Sequence, residues 1–116
     1  MADFKNKTDQ EITKKAEELS SALKFKVKPI VVKTKSGERV VGYYRQPSRQ
    51  AKMAAFDKVN MSMTSAGELL LEASLIKEES DPRLYSLDPE HDDIVIGASL
   101  AMFEELNVAS ADLPKK

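Results

Sequence analysis

The stretch Val27-Lys28-Pro29-Ile30-Val31-Val32-Lys33-Thr34-Lys35-Ser36-Gly37-Glu38-Arg39-Val40-Val41-Gly42-Tyr43-Tyr44-Arg45 decides the fold. β-branched and aromatic runs stand on either side of a Ser-Gly turn, which predicts a β-hairpin. Pro29 has no N–H to give to a ladder, so it belongs near the start of its strand or on a sheet edge. The basic residues along Lys24 to Lys35 and Arg39 to Arg49 keep that edge charged, which guards against edge-to-edge pairing.

Outside this stretch the apolar period changes from two to that of helices. On the N-terminal side, Thr8 and Glu11 form a T-x-x-E capping box. Ile12, Ala16, Leu19 and Leu23 follow as one narrow apolar stripe, predicting a helix over residues 9–23 suited to docking. On the C-terminal side, Pro47 suits the first turn of a second helix. Met53, Phe56 and Val59, with Ala51, Ala54 and Ala55, form its apolar side, and its end is expected near Asn60.

Ser65 and Glu68 form another box, predicting the start of a third helix. Ala66, Leu69, Leu70 and Ala73 share one face of it, with Leu71 and Leu75 to the side. An arc this wide suggests neighbours on two sides. Residues 77–91 hold Asp81-Pro82 and Asp88-Pro89 with little period and are expected as a loop. Asp88 can cap a last helix with Pro89 in its first turn. From Ile94 to Leu106 that helix is apolar nearly all round, so its own domain or another subunit should enclose it. The fold class expected is therefore α+β: a small single domain over residues 8–107, one β-hairpin packed with about four α-helices. Residues 1–7 and 108–116 are expected as flexible ends.

Composition agrees with one globular unit. The chain has 116 residues, 41% apolar and 32% charged, with no Cys. Disulfides, zinc-thiolate sites and thiol nucleophiles are excluded. No apolar run approaches the roughly 18–20 residues that span a bilayer, and no secretory leader is visible, so an intracellular protein without membrane contact is expected. The net charge of −1 hides a polarity. Residues 1–60 carry 14 Lys/Arg against 7 Asp/Glu, whereas residues 61–116 carry 4 against 12. Such polarity can pair the halves within a fold or drive contacts between copies. It equally suits solvated faces.

Catalytic and ligand motifs are missing. The single His, His91, has Val95 at i+4, where a helical metal pair needs a ligand. No nucleophile elbow frames a Ser, and the four Gly form no phosphate loop. Neither an enzyme nor a cofactor or metal site is expected. The strongest chemical cluster is the hairpin: Lys33, Lys35, Arg39, Arg45 and Arg49 accompany Tyr43 and Tyr44. Basic strands with aromatics can hold a phosphate backbone and stack bases. A charged sheet edge with tyrosines in the core explains the same residues. It is preferred, because the chain is acidic overall and carries no RNP or KH motif.

The order of short words carries a resemblance. Val40-Val41-Gly42-Tyr43-Tyr44-Arg45 leads through Gln46-Pro47-Ser48-Arg49 into a helix. Gly67-Glu68-Leu69-Leu70-Leu71-Glu72-Ala73-Ser74-Leu75-Ile76 follows, then Asp81-Pro82, then a final helix ending Phe103-Glu104-Glu105-Leu106. Over residues 25–107 this resembles the tail assembly chaperones encoded by tailed bacteriophages and prophages. The resemblance implies a non-enzymatic protein of the bacterial cytoplasm, without cofactor. It would coat the tape measure protein and recruit tail tube protein. A homo-oligomer, and no specific nucleic acid, would go with that role. The alternatives are a small nucleic-acid-binding module using the hairpin, or a structural head–tail component. Candidate protein-binding residues are Ile12, Ala16, Leu19, Leu23, Leu71, Leu75 and Phe103.

Overall fold

In a computed structural model, which describes residues 8–59 and 62–106, the chain is a small α+β domain of one antiparallel hairpin and four α-helices. Helix α1 spans Asp9–Leu23, strands β1 and β2 span Val27–Lys33 and Arg39–Arg45, and α2 spans Arg49–Val59. Helix α3 spans Met63–Ser74 and α4 spans Asp92–Met102. The expected flexible ends lie outside the described residues.

The hairpin forms as its sequence predicts. Val32 faces Val40, Ile30 faces Gly42 and Lys28 faces Tyr44. Gly37 takes φ +91° in the turn, a conformation costly for a residue with a Cβ. What sets this hairpin apart is that helices cover both its faces. Val27, Val41 and Tyr43 pack against Ile12 and Ala16 of α1 on one side. Ile30, Val40 and Tyr44 join a larger cluster with Ala55, Ala66, Leu70, Leu71, Ile94, Ala98 and Met102 on the other. Consequently every residue from Val40 to Tyr44 is buried. A strand covered on both faces reads as a continuous apolar run rather than an alternation.

The strand edges are treated differently. Along β2, Ile76 N donates to Tyr43 O at 2.8 Å, Asp81 N to Val41 O at 3.0 Å, and Tyr43 N to Ser80 Oγ at 2.9 Å. The chain after α3 thus occupies the edge a third strand would take. Along β1, Val27 N donates to Ser20 Oγ at 2.9 Å. Pro29, Val31 and Lys33 share the phase of Val27, so their backbone groups also turn outward.

Local signals are partly shifted. Thr8 caps α1, accepting from Glu11 N at 3.2 Å. Helix α2 begins at Arg49, so Pro47 lies before the helix and Ser48 caps it, accepting from Ala51 N at 3.1 Å. Helix α3 begins earlier than the Ser65 box predicts: Ser62 accepts from Ser65 N at 3.1 Å and leaves Ser65 inside the helix. The segment expected as a loop holds three 3₁₀ turns, Lys77–Glu79, Pro82–Tyr85 and Pro89–His91. Asp88 caps the last of these, and α4 continues from it. A final 3₁₀ turn spans Phe103–Leu106. The expected stop near Asn60 lies outside the described residues.

Helices α3 and α4 approach closely at Gly67. A Cβ there would stand 1.8 Å from Ser99 O, well inside contact distance.

Candidate protein-docking surfaces

The narrow stripe of α1 finds its groove within the chain. Ile12 and Ala16 are buried against the hairpin, and Leu19 is half-buried beside them. Only Leu23, 41% exposed, remains outside. Lys15 reinforces the seat, with Nζ 5.4 Å from the Tyr43 ring centroid and 3.1 Å from Glu79 Oε1. Ile12 and Ala16 therefore cannot meet a partner while α1 is seated. The expectation that they form a docking face is corrected: the hairpin, apolar on both faces, needs them.

The other candidates divide similarly. Leu71 is buried in the larger cluster, while Leu75 and Phe103 are half-buried against it. Leu75 also makes a bridge to Tyr44, so it belongs to the clasp on the β2 edge. These three contribute to the core first.

The basic hairpin is split up. Lys33 and Lys35 are exposed, as is Arg45, whose guanidinium lies 4.7 Å over the Phe25 ring. Arg39 pairs with Asp9 of α1. Arg49 belongs to α2 rather than to the hairpin. Tyr43 is fully buried and Tyr44 nearly so. No aromatic face is left on these strands to stack a base, so the platform half of the nucleic-acid reading is missing.

Two polar clusters brace the fold. Glu105 Oε1 accepts from Lys28 Nζ at 2.9 Å and Tyr44 OH at 2.8 Å, and Oε2 from Gln46 Nε2 at 3.3 Å. Burial alone would raise the Glu105 carboxyl, but the bonds from Lys28 and Tyr44 outweigh it and hold it below the usual range. Burial, then the bond to Glu105, pushes the Tyr44 hydroxyl upward. The second cluster is Arg83, which bridges Glu38 at 2.8 Å and Asp81 at 2.7 Å. Burial would likewise raise Asp81, yet the hydrogen bonds from Arg83 keep it low. These groups tie β1, β2 and the chain after α3 together. His91 Nδ1 bonds Ser86 Oγ at 2.8 Å, a brace within its loop. Among the described residues no cluster of three or more His, Asp or Glu could hold a metal ion, and no helix is long and apolar enough to cross a membrane.

The surfaces that remain lie on α2 and α4. Helix α2 buries Ala55 completely and turns Met53 and Phe56 outward, 61% and 40% exposed. Ala51, Ala55 and Val59 are the α2 residues that pack into the larger cluster, so Met53 and Phe56 face away. Helix α4 buries Ile94, Ala98 and Met102 and leaves Ile96 and Leu100 outward, 47% and 45% exposed. The all-round apolar pattern of α4 is thus enclosed on one side only. A groove beside α3, floored by Leu71, Leu75, Leu84 and Val95, is rimmed by Tyr85 and the exposed Leu87. The sequence signal for Met53 and Phe56 was present as an apolar side, but without a sign that this side would point out.

Comparison of the chain with family models, with curated proteins and with solved structures finds no match.

Proposed function

We propose that this chain is a tail assembly chaperone of a phage or prophage, a non-enzymatic protein that works in the bacterial cytoplasm. It would bind the tape measure protein and give way to tail tube protein as the tube grows. The observation that carries the protein-binding part is the pair of outward apolar stripes, Met53 with Phe56 and Ile96 with Leu100. A closed core has no use for them, and large exposed apolar residues at helical spacing suit helix-to-helix recognition. The finer identity rests on the order of sequence words from Val40 to Leu106. The buried tyrosines speak against the nucleic-acid alternative.

The test is co-expression with a tape measure protein from the same phage or prophage. That client is expected to stay in the supernatant and co-purify with the wild-type chain. A client equally insoluble with and without the chain, with no co-purification, sinks the proposal.

A further inference from the structure

Helices α2 and α4 both lean on α3 and make little contact with each other, so their outer stripes are separate surfaces. Each carries two large exposed apolar side chains about one turn apart. On α2, Met53 and Phe56 fall at i and i+3, one turn beyond Arg49, and on α4 Ile96 and Leu100 fall at i and i+4, with the half-buried Phe103 following in the final 3₁₀ turn. Their charges are opposite. Helix α2 carries Arg49, Lys52 and Lys58 against the single acid Asp57. Helix α4 and its final turn carry Asp92, Asp93, Glu104 and Glu105, with no cation. Glu105 turns inward to Lys28 and Tyr44, but Asp92, Asp93 and Glu104 are exposed and border the Ile96–Leu100 stripe. Among the described residues Arg49, Lys58, Asp92, Asp93 and Glu104 make no ion pair.

We infer that the α2 stripe of one copy docks on the α4 stripe of the next. Both surfaces present two large exposed apolar side chains one helical turn apart, which a neighbour would cover. The charged residues beside them attract in this pairing. They repel if α4 meets α4, because every charge there is acidic. The contact is therefore heterologous, with different patches on the two partners, and each added copy leaves one stripe open at either end. The apolar area is small against the roughly 1,600 Å² of a standard interface, so the contact is weak and reversible. This deepens the reading of the chain as a coat of many copies, and it moves the contact between copies away from α1, whose stripe is occupied.

Sedimentation velocity on the full chain and two variants tests the inference. Met53→Glu places an acid opposite the acidic α4, and Leu100→Glu disrupts the α4 stripe itself. Both positions are exposed, and circular dichroism checks that each variant keeps the wild-type fold. If either variant misfolds, Arg49→Glu and Ile96→Glu substitute for them. Wild type is expected to grow past dimer with concentration, and less so at about 500 mM salt than at about 50 mM. Each variant alone should lose self-association at least tenfold. An equal mixture should stop at a dimer, because each variant keeps the stripe the other lacks. A wild type monomeric at millimolar concentration overturns the inference, as do single variants that assemble normally or a mixture that stays monomeric. Co-purification of the tape measure protein is read separately. A client held by a monomeric chain removes this inference and leaves the chaperone reading standing. Assembly without client does the reverse.

Discussion

The two faces of the hairpin are held in different ways. On the bundle face, three helices contribute the larger apolar cluster, and the Glu105 network adds polar anchors. On the other face a single helix, α1, rests on three hairpin side chains through Ile12 and Ala16. The adjacent residues Tyr43 and Tyr44 show the contrast within one dipeptide. Tyr44 OH donates to Glu105 at 2.8 Å, whereas the buried Tyr43 OH has no partner. A hairpin alone is marginal in water, so both layers are needed, but the bundle side supplies most of the cohesion.

The sharpest way to break this comparison is to truncate one core residue on each face. Leu70→Ala should cost about 4 kcal/mol, because Leu70 is fully buried among residues of three helices. Ile12→Ala should cost about 2 kcal/mol, since α1 can settle onto the exposed surface beside it. Urea unfolding gives both values, and hydrogen exchange separates them further. In Ile12→Ala the α1 amides should open while α3 and α4 stay protected. Equal losses, or global opening in both variants, would show that the faces form one inseparable core.

Acid addresses the bundle side next. Glu105 and Asp81 both have carboxyls held below their ordinary values. Each therefore stabilises the fold fully above about pH 4, where the unfolded groups are ionised, and that contribution is lost as pH falls through the folded values. Acid unfolding followed by circular dichroism should show it, and Glu105→Gln should be less stable at neutral pH with a flatter acid limb. An unchanged limb would assign the acid loss elsewhere.

The smallest effect separates the tyrosines. Tyr44→Phe removes a hydrogen bond to a charged acceptor and should cost about 1.5 kcal/mol. Tyr43→Phe removes a buried hydroxyl without a partner and should change stability by less than about 0.5 kcal/mol, in either direction. Both hydroxyls are raised, Tyr43 by burial and then by Glu79 and Glu11. Ionisation of either hydroxyl weighs against the fold only above about pH 10, where stability falls as pH rises toward the raised folded values. A Tyr43→Phe loss as large as that of Tyr44→Phe would indicate a bond to Tyr43 in solution.

Much of this architecture is legible in the residues. The Ser36-Gly37 turn, Pro29 at a strand edge and the Thr8–Glu11 box are local chemistry, and local chemistry survives folding. The short 3₁₀ turns between Lys77 and His91 were not legible, because three or four residues carry no period to read. Ser62 was missed as a cap because Ser65 with Glu68 matches the box better. The candidate surfaces suffered most. A stripe such as Ile12–Ala16–Leu19 looks the same whether it meets its own hairpin or a partner. On α2, one expected apolar side divided, with Ala51, Ala55 and Val59 going inward and Met53 and Phe56 turning out.

The treatment of the strand edges has a further consequence for how copies of the chain can meet. The chain from Leu75 to Asp81 seals the β2 edge with its own backbone. On the β1 edge, Pro29 withholds a donor, Ser20 occupies Val27, and Lys33 places a charge. Crowded copies thus find no long flat strand on which to template cross-β growth. Contacts between helix surfaces, such as the docking of α2 on α4 proposed above, come apart without unravelling a sheet.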